Sequence, residues 1–125
     1  MYKNYLIVGT GGFLGAIVRY IMSVFIGRRL GINFPWGTLI INVSGSFAVA
    51  LIMSLFTEKY MVNPQWRLFL VVGFLGAYTT FSTFEYETGQ LIEGGEFLYA
   101  ALNVLLSVIA GFIALKSGEF IAKLM

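Results

Sequence analysis

Apolar residues fill four blocks of this chain, residues 4–26, 37–56, 68–92 and 97–122. Each comes close to the ~20 residues that carry an α-helix across a hydrocarbon core. The pattern therefore predicts an all-α membrane protein with four transmembrane helices in a single domain, residues 1–125. The connections are turn-forming: Gly27-Arg-Arg-Leu-Gly-Ile-Asn-Phe-Pro35, Thr57-Glu-Lys-Tyr-Met-Val-Asn-Pro-Gln65 and Glu93-Gly-Gly-Glu96. Connections this short make consecutive helices antiparallel neighbours and leave both termini on one side. The third block contains the polar run Gly76-Ala-Tyr-Thr-Thr-Phe-Ser-Thr-Phe84, where Thr79, Thr80, Ser82 and Thr83 put four hydroxyls into five positions. Side chains and water can satisfy the backbone groups freed in such a segment, so the third helix is predicted to be broken here. The break exposes carbonyls and amides at mid-membrane depth, where they can bind an ion.

The other blocks carry sparser polar positions. Arg19 lies about four turns into the first block, where a charge costs ~3 kcal/mol unless it snorkels or finds a partner. It is read as an end anchor or as a functional cation. Glu87 is its counterpart in the third block, and an Arg19–Glu87 pair is an expectation. Asn42 and Ser46, four apart, share a helix face, and an asparagine there often serves as glue between helices. In the fourth block Tyr99, Asn103, Ser107 and Gly111 recur every four residues and form one polar stripe, which suits a file of ligands better than a single buried hydrogen bond does. Gly11 with Gly15, Ser44 with Ala48, and Gly73 with Ala77 offer small faces for helix contact.

Composition removes whole classes of function. With 58% hydrophobic residues, 11% charged and a mean hydropathy of +0.85, the chain is far more apolar than a soluble domain. It has no cysteine, histidine or aspartate, which excludes thiolate chemistry, His- or Cys-built zinc sites, serine–histidine triads and aspartyl dyads; the chain is not expected to be an enzyme. The opening Tyr5-Leu-Ile-Val-Gly-Thr-Gly-Gly-Phe-Leu-Gly15 mimics a dinucleotide loop, but no acidic residue precedes Glu58 to hold a ribose. The +2 net charge is scattered and offers no basic face, so nucleic acid is not an expected partner. The first block is too long and glycine-rich for a cleaved signal peptide and is expected to stay in the membrane.

Charge also bears on orientation. Lys3, Lys59, Arg67, Lys116 and Lys123 fall near the terminal side and Arg19, Arg28 and Arg29 on the other, a five-to-three split that specifies orientation weakly. Insertion both ways and pairing as an antiparallel dual-topology homodimer is expected, the alternative being a sufficient bias to one orientation. Four thin helices also seal a pore poorly, which argues again for oligomerisation. Phe81 and Phe84, three apart, share a face on a helix resuming after the break. Aromatic rings are positive at the edge, so edge-on rings can favour an anion, the plainer alternative being simple packing.

At these residues the chain resembles the CrcB/Fluc family of fluoride channels over essentially its whole length. The matching pieces are Gly12-Phe-Leu-Gly-Ala-Ile-Val-Arg-Tyr20, Pro35-Trp-Gly-Thr-Leu-Ile-Ile-Asn-Val-Ser-Gly45 and Gly73-Phe-Leu-Gly-Ala-Tyr-Thr-Thr-Phe-Ser-Thr-Phe84. The resemblance implies a dual-topology homodimer in a bacterial plasma or inner membrane, with two antiparallel pores that pass fluoride passively and lower its cytoplasmic level. It implies that Phe81 and Phe84 are ring-edge fluoride contacts, Asn42 the pore amide, Ser82 and Thr83 pore hydroxyls, and Asn103 and Ser107 part of a polar track on the fourth helix. It further implies that the carbonyls of Gly76 and Thr79 hold a structural sodium ion between the two subunits. Tyr78 fills a position that is often small in the family. Fluoride is small and strongly hydrated, so a path must replace its water with donors in close succession.

Two other functions compete. A small dual-topology multidrug exporter needs an intramembrane carboxylate to exchange protons for drug, and the first block has none. A membrane assembly subunit without transport predicts that the polar positions serve packing alone.

Overall fold

The computed structural model describes residues 1–125 and is helical almost throughout. Four helices are long and apolar enough to cross a membrane: α1 (Tyr2–Leu30), α2 (Trp36–Lys59), α3 (Pro64–Glu93) and α4 (Phe97–Leu124). They overrun the predicted blocks where loop-like residues prove helical. Arg28 and Arg29, expected in the first connection, occupy the last turn of α1, where their charge complements the carbonyl end of the helix. Gly31 then stops α1 with φ +86°, a backbone region closed to most side chains, and its N–H caps the Gly27 carbonyl at 2.9 Å. At 29 residues α1 is about 43 Å long, more than the hydrocarbon core requires. α3 begins four residues before the predicted block, inside the expected connection: Asn63 Oδ1 accepts the Gln65 N–H at 3.0 Å, and Pro64 takes the first helical position.

Consecutive spans touch, as short loops require, but the most extensive packing lies between other pairs. α2 packs most extensively on α4, and α1 packs on residues Leu68–Leu75 of α3. Glycine is the cause. A Cβ on Gly11 or Gly15 would overlap the carbonyl of Phe69 or Phe74, and one on Gly73 would lie 2.7 Å from the Val8 carbonyl. Backbones of α1 and α3 therefore touch directly, with α3 widened into i to i+5 turns through Leu68–Leu75 at this contact. On the other side, Gly118 lets α4 approach α2, since a Cβ there would meet the Phe47 carbonyl at 2.5 Å.

The core is thin. Ile41, Leu75 and Tyr78 form its buried centre, with Val18, Met22, Ala48, Val49, Ile52 and Phe74 around them. Only 16 of 125 residues are buried, so most apolar side chains face outward, as a lipid-embedded chain requires.

Candidate functional site

Regular helix in α3 ends at Tyr78 and resumes at Ser82. Thr79 is extended, with φ −81° and ψ 157°, and its N–H and hydroxyl both donate to the Leu75 carbonyl at 3.0 Å. The next residue is held from α2. Asn42 Nδ2 donates to the Thr80 carbonyl at 2.8 Å, and Asn42 Oδ1 accepts the Thr80 N–H at 2.8 Å. One side-chain amide thus satisfies both backbone groups of Thr80 at a depth where water is scarce. Thr80 Oγ1 accepts the Thr83 N–H at 3.3 Å and donates to the Thr83 hydroxyl at 3.1 Å, which satisfies one of the free N–H groups in the first turn of the resumed helix. Because Thr80 N turns to Asn42, the carbonyl of Gly76 loses its helical donor; neither it nor that of Thr79 accepts a hydrogen bond.

Beyond this point the predicted residues divide. Phe81 and Phe84 lie together, ring centroids 5.8 Å apart and tilted by 43°. Phe81 is 70% exposed, and Ser82 and Thr83 are exposed beside it. Asn42 and Phe81 line one open cleft of about 450 Å³ with Ser46, Gly76, Thr79 and Thr80. Thr83 lines a smaller cavity of about 170 Å³ with Arg19, Ser23, Thr38 and Thr80. Ser23 and Thr38 also line a third cavity of about 320 Å³ at the 31–37 end of the bundle, which contains Glu87 and Glu96. Ser23 and Thr38 border both the outer and the middle cavity, and Thr80 both the middle cavity and the cleft, so a seam of polar side chains runs from the end of the bundle to the interruption in α3.

Asn103 and Ser107 stand apart from that seam. Asn103, 1% exposed, donates to the Thr88 hydroxyl at 2.9 Å and accepts from Ser107 at 3.5 Å, so they tie α4 to the second half of α3. Asn103→Leu, nearly isosteric, separates glue from track. Thr88 keeps its bond to the Phe84 carbonyl, so stability should change by about 1 kcal/mol or less while ion flux falls if the amide serves the path. Unfolding midpoint and liposome efflux measured on the same preparation check both halves.

The Arg19–Glu87 pair is absent. The ion pair of this chain is Lys116–Glu119 at 3.0 Å; Arg19 faces the small middle cavity, and Glu87, whose Oε1 is buried without a partner, lines the outer one. The extension of α1 to Leu30 also sets Arg19 eleven residues, about 16 Å, from its helix end, which disfavours the end-anchor reading. Thr88 and the lining hydroxyl Ser23 carried no sequence signal, Thr38 carried no predicted role, and Ser44, expected only as a small contact residue, meets the Tyr78 hydroxyl at 3.0 Å. Tyr78, whose packing the resemblance left unexplained, is 8% exposed and stacked on Phe74 at 6.2 Å.

Four apolar helices around a polar seam, with no grouping of three or more metal-ligating side chains, define a small multi-pass membrane protein whose chemistry is hydrogen bonding along a path. The chain belongs to the CrcB family: residues 6–119 match the profile described as CrcB-like protein, Camphor Resistance (CrcB). It is 47% identical over 120 residues to a fluoride-specific ion channel FluC of Solibacter usitatus, covering 96% of this chain and 98% of that one. It is 41% identical over 123 residues to a protein of the same description from a Sulfurihydrogenibium species, covering 98% and 99%. A third, from Clostridium perfringens, is 38% identical over 120 residues, covering 96% and 94%.

Proposed function

We propose that this protein is a fluoride channel of the bacterial cell membrane, passing the ion passively and so lowering cytoplasmic fluoride. One observation carries the reading beyond family membership: Asn42 grips the interruption in α3 through an amide that retains a second N–H, beside the bare ring of Phe81. Fluoride accepts strongly, and an amide N–H, hydroxyls of Ser82 and Thr83, and the ring edges of Phe81 and Phe84 give it donors in sequence. Asn103 and Ser107, set apart from the seam within one chain, continue the path along α4 in this reading.

The working unit of this proposal is an antiparallel, dual-topology homodimer of a single-domain chain whose third helix is functionally broken. Support comes from surface chemistry. Phe81, Ser82 and Thr83 are exposed on one chain, and hydroxyls left against lipid would be unsatisfied, so a second copy covering them completes the path. The two unpaired carbonyls, Gly76 and Thr79, are neutral oxygen donors of the kind a hard cation takes, so they fit a structural sodium at the dimer axis. Bound there, the ion offsets converging carbonyl dipoles.

The test is fluoride efflux from liposomes holding the purified protein, with chloride as control. Fluoride should leave and chloride should not; equal passage of both, or of neither, rejects the proposal. Phe81→Ile should lower efflux at least tenfold while the unfolding midpoint of the single chain stays put, since a 70% exposed ring buries little within it.

A further inference from the structure

Tyr78 lies outside the proposed path yet is held with care. Its ring stacks on Phe74 and sits against Gly45, where a Cβ would come within 3.4 Å of Tyr78 Cδ1. Ser44 Oγ has one proton, which it gives to the Ile41 carbonyl at 3.1 Å, so the 3.0 Å contact with Tyr78 is donated by the tyrosine. Two residues away, Asn42 grips Thr80. Thr79 is therefore bracketed: its predecessor is hydrogen-bonded to position 44 of α2 and its successor to position 42. Its methyl rests on Gly45, where there is no room for a Cβ.

This bracketing decides where one carbonyl points. The Thr79 C=O and the Thr80 N–H belong to the same trans peptide, in which the two bonds point in opposite directions. With the N–H turned to Asn42 on α2, the Thr79 carbonyl is turned away from Asn42 and accepts no hydrogen bond within the chain. Asn42 alone fixes one end of that plane; the position of the Thr79 Cα at the other end follows Tyr78.

We propose that Ser44 and Tyr78 form a positioning latch which, together with Asn42, aims the Thr79 carbonyl at the cation between subunits and so sets the affinity for sodium. The latch rests on the reading of Gly76 and Thr79 as that ion's ligands. Neither Ser44 nor Tyr78 touches an ion; each acts through the backbone of Thr79.

The experiment uses full-length protein purified in sodium, dialysed into a large organic cation, assayed for retained sodium, reconstituted, and titrated with sodium while fluoride efflux is followed. Tyr78→Phe keeps the stacked ring and removes one hydroxyl; Ser44→Ala removes its partner. Both should release sodium more readily and need about fivefold or more sodium for half-maximal efflux, the effect of one net hydrogen bond. Maximal efflux at saturating sodium should stay within about twofold of the parent. The double variant should shift no further than either single one, because both remove the same bond. Ser44→Thr, which keeps a hydroxyl, should behave as the parent. If the parent purifies with no sodium, the ion-site reading fails and the latch with it. If the parent retains about one ion per two chains and the variants retain it equally well over the same titration, the latch alone is overturned. A uniform fall in efflux at every sodium concentration, with no shift, also overturns it in favour of ordinary packing.

Discussion

Asn42→Ala is expected to reduce fluoride efflux by about a hundredfold or more. The truncation removes a candidate anion donor and strips the Thr80 N–H and carbonyl of their partners. The two groups are part-buried and have no other hydrogen-bond partner in the chain, and a fully buried, unsatisfied backbone group costs about 1–3 kcal/mol. About 3 kcal/mol lost at the conduction barrier is already more than a hundredfold in rate. Some of the loss should appear as a lower unfolding midpoint in detergent, so both quantities need measuring. Asn42→Asp keeps an acceptor for the Thr80 N–H but sets a carboxylate oxygen against the Thr80 carbonyl and a negative charge in the anion's way; it should conduct no better than the alanine variant. Parent-like efflux from Asn42→Ala would show that the amide neither lines the path nor holds the interruption.

Gly15→Ala should produce the largest loss of stability, about 2–3 kcal/mol or more. The added methyl would overlap the Phe74 carbonyl and lie 2.9 Å from its carbon and 3.0 Å from Phe74 Cα. Those atoms are backbone, so no side chain can swing aside and α1 must lift from α3 along the whole contact. Gly9→Ala on the same helix is the control: nothing lies within 4 Å of its new methyl, and removing a helix glycine should be neutral or stabilise by about 0.5–1 kcal/mol. Midpoints of denaturation in mixed micelles for the pair check this. Equal midpoints would mean that the α1–α3 contact carries little of the fold.

The interruption in α3 draws on both levels of description. Its hydroxyl cluster is visible in the one-dimensional pattern, and Thr79 and Thr80 do use their hydroxyls locally, on Leu75 and Thr83. What keeps Thr80 paired is an amide 38 residues earlier, and no local pattern encodes that distance. Asn103 is a similar case: its place in a four-residue stripe is visible in the pattern, while its burial against Thr88, a residue without any periodic signal, is not.

By itself the sequence determined the number of spans, the turn-forming character of the connections between them and the presence of a polar segment in the third helix. These follow from hydropathy, capping and backbone freedom, all of them local. Tertiary structure alone decided that α1 lies on α3 and α2 on α4, that Arg19 and Glu87 face different cavities, and that Tyr78 is latched to Ser44. Helix pairing in a membrane lacks the hydrophobic force that makes soluble cores legible; close approach of glycine backbones and long-range hydrogen bonds settle it instead, and both exist only once the helices have met.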